Sequence, residues 1–302
     1  MPNILIEGAG IAGQVLHREL TEFGITSELI DKASFPREKV CGGVLQWDSW
    51  QYLNSRFSLT FPVKNIHQMS HFWRGKKIST INFPKPMVYI SRFILDDTLN
   101  RQQTHPKIKE GPILKILASG APHQEGEWLG FQAFCDPVKE MQMHYGRGIY
   151  LGISPTLENK AHVAFIVNKN FLTHADKLAE KIQKELGVYL TGPLKGTKKI
   201  SYRLNRSKDL AIGDAKLTTH PFLGLGMKHA IESARLMARL IRENKTQEYS
   251  DLHGYYFKKW EWASRITGAL FEGPGRGCLW ILLKKPTLFL KAYHTLHDFS
   301  LD

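Results

Sequence analysis

The 302-residue chain is 42% hydrophobic, enough to bury large cores and to exclude an intrinsically disordered protein. Its 41 Lys and Arg against 28 Asp and Glu leave a net charge of +13, which points to an acidic partner and says nothing of the fold. Three cysteines, Cys41, Cys135 and Cys278, are odd in number and lack metal-ligand spacing, so no disulfide framework and no metal site are expected, and a reducing, cytoplasmic setting is.

The apolar run Asn3-Ile4-Leu5-Ile6-Glu7 predicts a buried parallel strand, and its early start leaves no room for a secretory leader. Gly8-Ala9-Gly10-Ile11-Ala12-Gly13 fits G-x-G-x-x-G, the turn in which Gly8 bends the chain, Gly10 admits a pyrophosphate and Gly13 packs helix on strand. Val15, Leu16, Leu20 and Phe23 continue at helical spacing to a stop at Gly24, so the helix dipole, with the N–H groups of Ile11 and Ala12, faces the anion. A second strand, Thr26 to Asp31, ends on a carboxylate 18 residues beyond Gly13, where a ribose hydroxyl needs an acceptor, and Lys32 follows. FAD and NAD both suit this much.

Phe35-Pro36-Arg37-Glu38-Lys39-Val40-Cys41-Gly42-Gly43-Val44-Leu45 resembles the segment after the second strand in FAD-dependent oxidoreductases of the geranylgeranyl reductase-like branch, within the para-hydroxybenzoate hydroxylase-like flavoprotein superfamily. That resemblance implies that Arg37 and Lys39 contact the adenosine and diphosphate side of FAD, and that Cys41, Gly42 and Gly43 pass near the flavin ring. Cys41 is equally read as a small residue fitted to a tight turn. The family often has a further glycine where this chain has Val44.

Tyr89 to Leu99 resembles the family's strand-to-helix segment whose arginine, here Arg92, approaches the cofactor; a surface arginine is the alternative, and Ile94, Leu95 and Leu99 are expected to face the core. Between Leu99 and Ile113 the chain keeps only 13 residues, including Thr104-His105-Pro106, and the family's Asp-Gly element is missing, so NAD(P)H is retained only as a transient reductant. Leu114 to Ala121 is similar to the strand that closes the FAD sheet.

From Trp128 to Asn168 the period changes to two: Phe131, Ala133 and Cys135 share a face, as do Met141, Met143 and Tyr145, and Val163, Phe165 and Val167. This predicts an antiparallel sheet roofing the flavin, whose Met and aromatic residues suit an apolar ligand or an ordinary core. Asp176 to Leu186 predicts a helix stopped by Gly187. Leu210-Ala211-Ile212-Gly213-Asp214-Ala215 and then His220 to Met227 resemble the family's second flavin motif: Asp214 is implied for a ribityl hydroxyl, and Pro221, Gly224, Gly226 and Met227 for the flavin's pyrimidine edge, with an ordinary capped loop as the alternative. His220 is the weak candidate for catalysis, and it also reads as a satisfied loop histidine.

The expected fold is α/β: a Rossmann-like FAD-binding domain with a parallel sheet (1–60, 87–125, 205–245), an antiparallel substrate domain (61–86, 126–204) and a C-terminal helical region (246–302). The expected function is an FAD-dependent reductase or dehydrogenase for an isoprenoid, polyketide or lipid-like substrate, with a flavin monooxygenase or a non-catalytic FAD-binding protein as alternatives. Phe257, Trp260, Trp262, Phe271, Trp280, Leu288 and Phe289 among Lys258, Lys259, Lys284, Lys285 and Lys291 suit an anionic membrane surface or an acidic carrier, or simply a solvated helix face; no basic reading helix points to nucleic acid.

Overall fold

A computed structural model describes residues 3–104, 106–108, 111–121, 128–172, 177–200, 204, 209–271 and 275–298, without the side chains of 171 and 197–200; His105 and Asp176 lie outside the described residues. In chain order the elements are β1 (Asn3–Glu7), α1 (Ile11–Glu22), β2 (Ser27–Ile30), β3 (Val44–Gln46), α2 (Trp47–Phe57), β4 (Lys64–Trp73), β5 (Lys76–Tyr89) and α3 (Arg92–Arg101). There follow β6 (Ile113–Leu117), β7 (Trp128–Cys135), β8 (Met141–Gly146), β9 (Ile149–Pro155), β10 (Ala161–Asn168), α4 (Leu178–Leu186) and β11 (Thr191–Ile200). Four helices close the chain: α5 (Gly226–Arg242), α6 (Tyr249–Phe271), α7 (Arg276–Leu283) and α8 (Pro286–His297).

The first sheet is parallel, in the order β2-β1-β6, with Ile4 opposite Ser27 and Leu114. Beyond β6 the chain returns at Ala211, which bridges Leu117 in parallel; Leu117 N–H donates to Leu210 (2.8 Å) and Ile212 N–H to Leu117 (2.9 Å). The second glycine motif is thereby delivered to the carboxyl end of the same sheet as the first. At the end of β1, Gly8 takes φ +114°, and a Cβ there would stand 2.5 Å from the Ala118 carbonyl. A Cβ on Gly13 would stand 1.9 Å from the Gly8 carbonyl oxygen, so helix and strand meet backbone to backbone.

The second sheet has eight strands in the order β11-β7-β10-β9-β8-β4-β5-β3, antiparallel except where β4 meets β8. The alternation expected from Trp128 to Asn168 is present as β7 to β10. The long β4–β5 hairpin was not legible in the sequence: it turns at Arg74-Gly75, both left-handed, and its period is broken by bulges and by Pro84 and Pro86. Odd positions of β10 (Val163, Phe165, Val167) pack with α4, while Ile166, Trp128, Tyr145 and Tyr150 face the opposite side against α6, α7 and α8. Helices α1 and α5 pack together over the parallel sheet, with Leu16, Leu20, Leu236 and Met237 fully buried.

One expectation fails in α3. Leu95 and Leu99 are buried, but Ile94 is 46% exposed, because adjacent helical residues lie about 100° apart and only the i,i+4 pair shares a face.

Two outcomes follow from this packing. Gly13→Ala is expected to cost about 3 kcal/mol or to prevent folding, since neither backbone atom at the contact can yield; a loss under about 1 kcal/mol in urea melts would show the turn to be pliable. Burial lowers His71, His144 and His162 to about 4 and His220 and His229 to about 3. These rings are neutral when folded but protonate near 6.5 when unfolded, so the unfolded chain binds more protons and stability falls as pH drops from about 6.5 toward 4. With several rings contributing, unfolding free energy measured across that window is expected to fall by more than about 1.4 kcal/mol per pH unit; a flat profile would mean that the folded rings hold protons.

Candidate cofactor and ligand site

Two turns meet at the carboxyl end of the parallel sheet. Gly213, at φ +58°, would place a Cβ 2.9 Å from the Cβ of Ala12, and its N–H donates to Ser233 Oγ on α5 (2.9 Å). The two glycine motifs, about 200 residues apart in sequence, thus touch through a missing side chain. Ile11 and Ala12 are buried in the first turn of α1, which has no side-chain cap and no acidic residue. Helix α5 opens at Gly226 in the same way, with Met227 half-buried against the core. Both helices present the positive ends of their dipoles with no acidic residue in the first turn. Above α1, a Cβ on Gly10 would meet only Arg37 Nη2 at 3.6 Å, so this position leaves open space where Gly8 and Gly13 leave none.

Asp31 lies one residue past β2. Its carboxylate accepts from Ala9 N–H (2.7 Å), Ala33 N–H (2.9 Å) and Arg37 Nη1 (3.1 Å), tying the glycine turn to the segment after β2. Lys32 beside it is exposed. Arg37 also approaches Asp96 (3.8 Å) and lies over the Phe35 ring, bridging two carboxylates at the mouth of the turn.

Deeper in, Arg92 at the start of α3 donates from Nε and Nη2 to Asp96 (2.8 and 2.9 Å), a bidentate pair in which both side chains are almost fully buried. Burial alone would lower the Arg92 guanidinium, but Asp96 and the Cys41 sulfur within its hydrogen-bonding reach hold it above its ordinary value. Arg92 is therefore no surface residue, and Cys41 sits against it. Burial lowers Lys39, with like-charged Arg92 adding to the effect and Asp214 opposing it. Burial raises Asp214, opposed by Lys39 and Arg92. The cluster Lys39, Cys41, Arg92, Asp96 and Asp214 gathers three separate stretches of chain.

The Cys41-Gly42-Gly43 turn is gripped from both sides. Gly43 accepts from Ile90 N–H (2.8 Å), and a Cβ on it would come 2.7 Å from the Ile90 carbonyl. A Cβ on Gly42 would just reach Ala164 (4.0 Å), and the Gly42 carbonyl lies near enough to the His162 ring to oppose the lowering that burial imposes on it. Beside this turn lies a cavity of about 320 Å³, lined on one wall by Lys39, Cys41, Tyr89, Arg92 and Phe93 and on the other by Gln132, Phe134, His162 and Lys195. Lys195 of β11 pairs with Glu38 across its rim. His162 and Gln132 escaped the sequence reading. Their signal was present: on β10 and β7 they occupy the even positions, opposite the apolar face that packs on α4.

The second motif meets the eight-stranded sheet through β3. Pro221 opens a short 3-10 turn that Gly224 ends, and the Gly224 carbonyl accepts from Gln46 Nε2 of β3 (2.8 Å), a link that sequence alone did not suggest. His220, the weak catalytic candidate, is fully buried in this turn: its Nδ1 accepts from Phe222 N–H (3.2 Å) and its ring stacks on Phe271. It is not among the residues lining the cavity. The Met and aromatic residues expected to receive an apolar ligand, Met143, Tyr145 and Tyr150 among them, instead pack against Phe222, Phe271 and Phe289. Among the described residues no cluster of three or more metal-ligating side chains occurs.

No protein-family model and no curated protein matches the sequence. Solved structures do match along nearly its whole length. PqsL of Pseudomonas aeruginosa, a probable FAD-dependent monooxygenase, is 13% identical with a TM-score of 0.70, over 97% of this chain and 99% of that one; PqsL is also known in complex with 2-aminobenzoylacetate. A flavoprotein/dehydrogenase from Cytophaga hutchinsonii is 14% identical with a TM-score of 0.75, over 100% and 93%. HpxO of Klebsiella pneumoniae, complexed with FAD and uric acid, is 13% identical with a TM-score of 0.68, over 99% and 93%. At such identities the likeness is one of architecture, and none of the three is named a geranylgeranyl reductase. The expectation of a parallel sheet, a second mainly antiparallel sheet and C-terminal helices is met, and the chain has the fold of the FAD-binding flavoproteins.

Proposed function

We propose that the chain is an FAD-dependent oxidoreductase of the monooxygenase kind, acting on a small molecule with an aromatic or apolar body and an acidic group. The observation that carries the reading is the contact of Gly213 with Ala12, which joins two glycine turns, two uncapped helix N-termini and the open space above Gly10 into one cradle. Those residues fit FAD, which when bound supplies the redox chemistry itself.

In this reading Gly10 and the α1 N-terminus take the diphosphate, with Asp31, Arg37 and Lys39 on the adenosine side. Asp214 and Gly213 hold the ribityl chain. Gly42, Gly43 and the turn from Pro221 to Met227 would border the ring, and Arg92, held in place by Asp96, would supply a fixed guanidinium that favours negative charge there at no reorganisation cost. The His162 ring lies near the Gly42 carbonyl, its buried Nδ1 has no partner among the described residues, and burial keeps the ring neutral at pH 7. Lys39, Arg92 and Lys195 place cationic donors on the cavity wall, Arg92 and Lys195 being paired with Asp96 and Glu38, and Tyr89, Phe93 and Phe134 make it aromatic, which supports a planar ligand that accepts hydrogen bonds, an acid among them. The molecules named with PqsL and HpxO, 2-aminobenzoylacetate and uric acid, are of that class. NAD(P)H is the transient reductant.

A second reading, a reductase or dehydrogenase of the geranylgeranyl reductase-like branch, rests on a different observation: the Cys41-Gly42-Gly43 turn that resembles that branch borders the cavity, with the Gly43 carbonyl accepting from Ile90 N–H.

Purified protein is expected to show the absorption of oxidised flavin and to release FAD on heating; protein that neither retains nor rebinds FAD overturns both readings. Gly10→Val is expected to abolish FAD retention while lowering stability by only about 1 kcal/mol, since its side chain enters open space at a helix N-cap; a variant that keeps its flavin would remove the diphosphate from Gly10. Oxygen-dependent NAD(P)H oxidation giving an oxygenated product supports the monooxygenase, and anaerobic turnover giving a saturated product supports the reductase instead.

A further inference from the structure

Helices α7 and α8 divide their apolar residues between two faces. Leu279, Leu283 and Phe289 are buried in the core that includes Ile66, Tyr145 and Ile166. Trp280, Ile281 and Leu288 point the other way and are 36%, 53% and 47% exposed. Lys284, Lys285 and Lys291 are exposed among them, and Lys284 Nζ stands 3.8 Å from the Trp280 ring centre. From Gly275 to His297 the sequence contains no Asp or Glu, so no carboxylate of this segment neutralises the lysines. Helix α6, which packs on α7, repeats the combination outward: Tyr255, Trp262 and Ile266 are exposed together with Lys258 and Arg265.

We infer that the outer face of α7 and α8 docks on an anionic lipid surface. Three large exposed apolar side chains on two consecutive helices incur a hydration cost in water that burial at the headgroup boundary removes, and the exposed lysines of the same segment reach acidic headgroups while their stems lie along apolar surface. The charge is complementary to a leaflet rich in acidic lipid, and the Trp280–Lys284 pair sets an amphipathic ring and a cation at the same depth. Among the described residues no helix is long and apolar enough to cross a membrane, so the contact lies on the surface. The surface is separate from the residues proposed to hold FAD and brings the whole chain to where apolar molecules partition.

The test is sedimentation of the full-length protein with vesicles of phosphatidylcholine alone and with about 30% phosphatidylserine. Binding is expected only to the acidic vesicles and to fall when the salt is raised to about 0.5 M. The triple change Lys284→Gln, Lys285→Gln, Lys291→Gln is expected to weaken it about 100-fold, the equivalent of about 1 kcal/mol per lysine. Ile281→Glu with Leu288→Glu is expected to abolish binding with an unchanged thermal midpoint, because both positions are exposed. Equal binding to both vesicles, or binding untouched by these variants, overturns the inference. So does a failure to bind any vesicle, and light scattering then reports whether the same variants dissociate a dimer, which would make a second copy of the chain the occupant.

Discussion

Where β1 ends, backbone meets backbone, Gly8 lying against the Ala118 carbonyl and Gly13 against the Gly8 carbonyl, and Gly213 lies against the Ala12 methyl group. The three contacts bring one helix N-terminus, two strand ends and the second motif to a common edge. Every polar group of the proposed cofactor cradle takes its position from that edge. Asp31 is held one residue beyond β2 by the Ala9 amide of the same turn, and Asp214 follows Gly213 directly. The parallel sheet is narrow, three strands and one bridge, so its order comes largely from this close packing and from the helices α1 and α5 laid across it.

Charge is concentrated beneath the point where the two sheets approach. Arg92 and Asp96 form a buried bidentate pair, and Lys39 and Asp214 face each other in a region where burial pushes the ammonium down and the carboxyl up. Buried charges of this kind contribute little net stability over apolar residues of the same volume. Of these four, Lys39 and Arg92 line the cavity, with His162 also at its wall, and the proposed ligand site draws on them. The Lys195 pair with Glu38 couples the second sheet to the segment after β2 across the same space.

The C-terminal helices do two kinds of work. Their inner faces cover one side of the eight-stranded sheet, and Trp260, fully buried, donates from its indole to the Leu296 carbonyl (2.8 Å) to lock α6 to α8. Their outer faces leave tryptophan, isoleucine and leucine in water among lysines, an arrangement that folding alone does not require.

Local pattern was enough for the strand-turn-helix at Asn3–Glu22, the Gly-Asp turn near residue 213 and the alternating strands of β7 to β10, because in each the period or the glycine spacing lies within a few residues of sequence. Local pattern failed for β4 and β5, where bulges and prolines break the period, and for Ile94, whose face depends on what α3 packs against. It was silent on His162, Gln132 and Gln46. Each of these is an ordinary polar residue on a strand until another segment is placed opposite it. The sequence by itself determined that two glycine turns and their acidic residues exist. Only the tertiary structure decided that they share one edge, that Arg92 is buried against Asp96 and Cys41, and that the aromatic face of the sheet is covered by helices; such contacts join residues tens to hundreds of positions apart, where no local rule reaches.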